Sequence, residues 1–171
     1  MSTLLTELRK RGWTIEESEH SLSLLPDHIR ARYPDVPSAV EEFLGALEVC
    51  HNAAEDAWML TPAEFRKTDA EGFRWNEYEL MALDAAEGEP DRQSEVRSFW
   101  DEHLPIMMAV HSDYDYLAVR LAQPNFGAIV HGFAPEWDQV SVVSPSFEEF
   151  LTRFTEEAGS GEPEYPYVLF L

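Results

Sequence analysis
The sequence predicts an α+β domain in which an antiparallel-rich central sheet, a meander over about residues 106–143, packs against several helices. Three observations lead there. Helical spacing recurs through most of the chain before Leu104. Runs rich in β-formers then follow at 106–110, 115–121 and 127–132, with turn signals between them. One strong helical pattern closes the series, so helices and strands are segregated rather than alternating as in parallel βαβ units. The 171 residues, 44% hydrophobic and 26% charged, fit a single domain (1–171) whose core needs no disulfide or structural metal.

Leu4, Leu5 and Leu8 share one face of a short helix over 2–11. Arg9, Lys10 and Arg11 suit its C-terminal dipole, and Gly12 suits the left-handed residue that ends it. Trp13–Ile15 is a short extended segment. Pro26 opens a second helix that Tyr33-Pro34 ends. In the third helix Ser38 and Glu41 form a capping box, and Val40, Phe43, Leu44 and Leu47 recur at i, i+3, i+4 and i+7. Asp56–Leu60 reads as a strand anchored by Trp58. Thr61-Pro62 begins a helical turn carrying Phe65, and Asn76 and Glu79 mark a further helix start.

After the surface loop Gly88-Glu89-Pro90, a helix over Asp91–His103 places Val96, Phe99, Trp100 and His103 on one face, and Leu104-Pro105 ends it. His111-Ser112-Asp113-Tyr114 and Gln123–Gly127 are the turns between the three strands, and Val140–Val143 is a fourth strand. Ser146 and Glu149 cap the clearest helix, striped by Phe147, Phe150, Leu151 and Phe154, with Glu149 placed to pair with Arg153. Residues 158–163 form a polar linker at the start of a short C-terminal segment, 158–171. Tyr165–Leu171 then returns to the body as an edge strand.

Charge narrows the function classes. Thirty-three acidic against twelve basic residues give −21. The first 85 residues hold 17 acids and 8 bases, and the remainder 16 and 4, so the acidity belongs to the whole chain and not to a tail. Such a field repels phosphate backbones and anionic membranes, and it speeds encounter with a basic protein. Many of the carboxylates serve only solubility. No signal peptide or membrane-spanning pattern is present, and Cys50 is the single cysteine; a cytoplasmic, reducing setting is expected.

Chemistry-bearing patterns are sparse. In an extended segment, His111-x-Asp113-x-Asp115 would place three metal-binding side chains on one face, with His131 approaching from a neighbouring strand. The turn composition explains the same residues without a metal. Cys50-His51 lacks the geometry of a nucleophile and its base if both are helical, and Asp101-Glu102-His103 lacks a second histidine at zinc-hydrolase spacing. Paired glutamates such as Glu148-Glu149 follow from the helix N-terminus they occupy. Phosphate-cradling, nucleophile-elbow and CxxC motifs are absent. No catalytic residue, metal or cofactor is therefore expected; the alternative is a metal-dependent enzyme using His111, Asp113 and Asp115, with His131 as a further ligand. Trp137, flanked by Glu136 and Asp138, has two readings: an aromatic anchor for a basic partner, or a loop tryptophan folded back onto the sheet.

The order of short motifs resembles the Smi/Knr family of the SUKH superfamily over about residues 25–154. The resemblance rests on Leu25-Pro26, Phe43-Leu44, Trp58-Met59-Leu60 and Phe73–Glu77, then on the block Phe99-Trp100-Asp101-x-His103-Leu104-Pro105. Asp113–Tyr116, Gly127-x-Ile129-Val130-x-Gly132, Pro135-Glu136-Trp137 and Ser146–Leu151 complete it. One departure is Asn52-Ala53, where many members have Asn-Gly. The resemblance implies a non-enzymatic binding protein. Bacterial members are commonly immunity proteins that neutralise toxins, often nucleases, and fungal members are regulatory modules of cell-wall synthesis. It supplies no catalytic residues. With the acidity, it makes Asp113, Asp115, Glu136, Trp137 and Asp138, all expected in loops at strand ends, the candidate contacts for a basic protein partner.

Overall fold
A computed structural model describes residues 2–18, 25–67, 73–111 and 113–171. In chain order the elements are α1 (Ser2–Lys10), β1 (Thr14–Glu17), α2 (Asp27–Arg32), α3 (Ser38–Gly45), β2 (Leu47–His51), β3 (Ala57–Met59) and α4 (Pro62–Arg66). These are followed by α5 (Glu77–Ala85), α6 (Pro90–Asp101), β4 (His103–Ala109), β5 (Tyr114–Arg120), β6 (Ile129–Ala134), β7 (Ser141–Ser144) and α7 (Phe147–Gly159). The strands form one antiparallel sheet in which each pairs with the next in sequence, from β1 at one edge to β7 at the other. The fold is α+β, and the meander reaches from residue 14 to residue 144, well beyond the 106–143 that the turn signals mark.

Strand alternation sorts the core into two layers around the sheet. Tyr116 points to one face, where its ring meets Trp100 of α6 and Tyr78 of α5. The α2 helix joins that layer through a hydrogen bond from the Tyr33 hydroxyl to the Trp100 carbonyl. Gly132 stands opposite Tyr116 in the register, and the phenol ring occupies the space that a Cβ at Gly132 would take. Any side chain there would displace the ring. On the other face α7 lies beside α1 and α3, with Phe147 edge-on to Phe43. The stripe of Phe147, Phe150 and Phe154 is buried, and each ring contributes roughly 2 kcal/mol of burial free energy.

Several expectations hold at the level of single residues. Gly12 adopts φ +87° at the end of α1, and the Ser146 side chain accepts from the Glu149 N–H at the start of α7. Others are corrected. The third helix stops at Gly45, because Leu47–His51 is taken up by strand pairing with β1 and β3 on either side. Pro37, not a capping serine, precedes that helix; Ser38 lies inside it and makes no capping bond. The sixth helix ends at Asp101, and His103–Pro105 opens a strand instead of terminating a helix. Pro105 sits in that strand beside a β-bulge before Met107, the kind of position where a strand tolerates proline.

The C-terminal region departs most. Helix α7 continues to Gly159, shortening the expected linker, and residues Tyr167–Leu169 form a 3₁₀ turn rather than an edge strand. Its anchors Tyr167 and Phe170 recur at i, i+3, the spacing of that helix, and both are buried. Arg153 pairs with Glu156, Glu157 and Glu164 instead of reaching Glu149. Ser112 of the expected 111–114 turn lies outside the described residues.

Candidate functional site
The β5–β6 register places Asp115 opposite Phe133 and Leu117 opposite His131, so Asp115 and His131 are diagonal neighbours on one face. Asp115 Oδ1 lies 2.8 Å from His131 Nε2, with side chains 7% and 3% exposed. The other ring nitrogen, Nδ1, is 3.3 Å from the Tyr165 hydroxyl. Nε2 faces the carboxylate and Nδ1 faces the phenol, so each ring nitrogen has one polar partner. Phe170 closes on the same ring edge-on at 6.0 Å. Both nitrogens have partners in the chain, and through Tyr165 this histidine ties the C-terminal segment to the sheet. Behind it the Tyr78 hydroxyl lies 3.1 Å from the carbonyls of Ala109 and Asp115, and burial pushes its pKa upward.

Asp115 is therefore neither in a loop nor available to a partner, contrary to expectation. A carboxyl group buried at that depth needs a hydrogen-bond partner, which His131 on the neighbouring strand supplies. His111 and Asp113 are exposed, and among the described residues no group of three His, Cys, Asp or Glu side chains could hold a metal ion. Cys50 and His51 sit next to each other in β2 and so project to opposite faces. Burial drives the Cys50 thiol up to about 12, while His51 Nδ1 is bonded to the Asn52 carbonyl. His103 is also withdrawn from chemistry. Its ring stacks 4.0 Å from Phe99, Nδ1 bonds the Phe99 carbonyl at 2.8 Å, and burial lowers its pKa.

Trp137 follows the second of its two readings. It is 6% exposed, its ring is 5.1 Å from Phe99 with the Arg92 guanidinium 5.6 Å away, and its carbonyl accepts from Tyr116 at 2.9 Å. Folded inward, it floors a hollow of about 220 Å³ that Ala82, Ala86, Glu89 and Glu136 also line. Glu136 and Asp138 themselves remain exposed.

The pairings Ala57 with Ala109 and Tyr114 with Ala134 bring three loops, 52–56, 110–113 and 135–140, to the same end of the sheet. Those loops hold Glu55, Asp56, Asp113, Glu136 and Asp138 and contain no lysine or arginine. Asp56 is tied to the Asn52 amide, whereas Glu55, Asp113, Glu136 and Asp138 are exposed. Tyr114, 42% exposed and stacked on Phe73, adds an aromatic surface at this rim. The three loops form an acidic rim with no cation of their own, flanked by Arg92 near Glu136 and Lys67 near Glu55, and its net negative charge suits contact with a basic surface.

Sequence reasoning missed the Arg32–Glu79 pair and the Tyr165 contact, since neither has a local signature. Only the return of distant segments creates them. No family model and no curated protein matches the chain. Among the described residues no helix is long and apolar enough to cross a membrane.

Proposed function
We propose that the protein is a non-enzymatic binding module of the SUKH type, most concretely an immunity protein that docks onto a basic toxin in the cytoplasm and blocks it. The observation that supports this most is the acidic rim, where three loops converge without one lysine or arginine. The whole-chain charge of −21 supplies the long-range field that guides a basic partner toward it. Of the five candidate contacts, Asp113, Glu136 and Asp138 stand on the rim, while Asp115 and Trp137 support it from inside. Toxins that act on nucleic acid present cationic surfaces, which fit such a rim.

The test is co-expression with each neighbouring gene, followed by co-purification and a toxicity-rescue assay. One neighbour is expected to be toxic alone, to be rescued by this protein, and to co-purify with it. Reversing Glu136 and Asp138 to lysine is expected to weaken association and to flatten its dependence on ionic strength. If no neighbouring product binds and none is toxic, the reading fails.

A further inference from the structure
The last strand of the sheet has a free edge. β7 pairs with β6 alone, Val142 is 57% exposed, and no strand covers its outer side among the described residues. Beside that edge runs an open groove of about 630 Å³, bounded by β7, one flank of α7 and the segment around Tyr165. Unpaired backbone donors and acceptors next to a groove can take an added strand.

The two sides of this edge differ in chemistry. The register pairs Val142 with Val130, which shares the Tyr116 face of the sheet, so on that side the edge presents the Val142 side chain, next to a register shift at Val143. On the α7 side the groove presents Glu149, Glu156 and Glu164, with Tyr165 68% exposed among them. Among the described residues Arg153 is the only cation lining the groove, and it is engaged by Glu156, Glu157 and Glu164. A strand laid along β7 turns successive side chains to opposite sides. The edge would therefore read a segment in which cationic and apolar residues alternate: the cations meet the glutamates and the Tyr165 ring, and the apolar residues meet Val142.

We propose that the β7 edge is a docking site for an extended, alternating cationic–apolar segment of a protein partner, bound by strand addition. This rests on the reading of the protein as a binding module for a basic partner, and it adds where and in what conformation part of that partner binds. A second copy of this chain is the other occupant an open edge can take. Two molecules each carrying −21, with glutamates lining both edges, repel in that arrangement, so the charge favours a basic partner.

The probe is a short peptide alternating lysine and valine, compared with a peptide of the same composition in which the lysines and valines are in separate blocks. Titration followed by amide chemical shifts is expected to centre on Ser141–Ser144, with the block peptide weaker by roughly tenfold or more. Val142→Lys, an exposed change that places a cation on the edge, is expected to weaken the alternating peptide by a similar factor, and Glu149→Lys likewise. Equal binding of the two peptides, a shift map centred elsewhere, or unchanged affinity in Val142→Lys would overturn the proposal. So would concentration-dependent self-association abolished by Val142→Lys, which assigns the edge to a second copy. The two readings fail separately. A neighbour-encoded partner that binds Val142→Lys as well as the parent sinks the edge proposal alone. A peptide that docks at β7 when no neighbouring product binds sinks the immunity reading alone.

Discussion
On the side of the sheet covered by α2, α5 and α6, the helices are linked to one another by charge. Arg32 Nη1 and Nη2 meet the two Glu79 oxygens at 2.7 and 2.8 Å, and Arg32 Nε meets Asp101 at 2.9 Å, so one guanidinium links all three helices. On the side covered by α1, α3 and α7, the joint is a stack of aromatic rings, Phe150 on Phe154 at 5.2 Å with Tyr167 against both. Polar contacts on that side tie down the C-terminal region: Arg11 donates to the Ala158 and Ser160 carbonyls, Arg153 pairs with the buried Glu157, and Tyr165 meets His131. Both sides pair a buried glutamate with an arginine, Glu79 with Arg32 and Glu157 with Arg153, and differ in what joins their helices: one guanidinium shared by three helices on the first, stacked rings on the second.

The largest expected effect is on the aromatic side. Phe154→Ala, at a fully buried position, should lower unfolding free energy by about 4 kcal/mol in a denaturant titration. Next comes the ionic side. Arg32→Ala leaves Glu79 buried without its cation and should cost about 3 kcal/mol. The double change Arg32→Met with Glu79→Met should recover most of that loss, because no uncompensated charge then remains. If the double variant is as unstable as the single one, packing rather than charge joins this side.

The pH response separates the faces further. Burial first, and Arg120 in lesser part, lower the His103 pKa below its ordinary 6.5. As pH falls through that value the unfolded chain takes up a proton that the folded one refuses, so stability is intact above it and declines below. His103→Leu should remove this component, at most about 1.4 kcal/mol per pH unit, as read from thermal unfolding between pH 7 and pH 5. The smallest effect is expected from Tyr165→Phe, which deletes the phenol's bond to His131 for about 1 kcal/mol. Its signature is local: faster amide exchange in residues 164–171, with the Arg32 side unchanged.

Legibility in the sequence followed the range of the interaction. Gly12, the Ser146 cap and the phenylalanine stripe of α7 depend on neighbours within one or two turns of chain, and each was readable. β2 was not, because Leu47 continues a helical spacing and only pairing on both sides makes it a strand. His103 had the periodicity of a helix face and the fate of a strand residue, since Met107–Ala109 pair with β3 and draw the chain into the sheet. The candidate contacts divided in the same way: Asp113, Glu136 and Asp138 are polar and exposed, whereas Asp115 and Trp137 were turned inward by partners on other strands and on α6.

By itself the sequence determined the acidity, the α+β class, the Gly12 end of α1 and the Ser146 start of α7, because composition and local backbone chemistry need no knowledge of distant segments. The tertiary structure alone decided which acids gather at one end of the sheet, which carboxylate is buried against a histidine, and which edge stays open. Each of those depends on strand register, and register is settled by contacts between residues far apart in the chain.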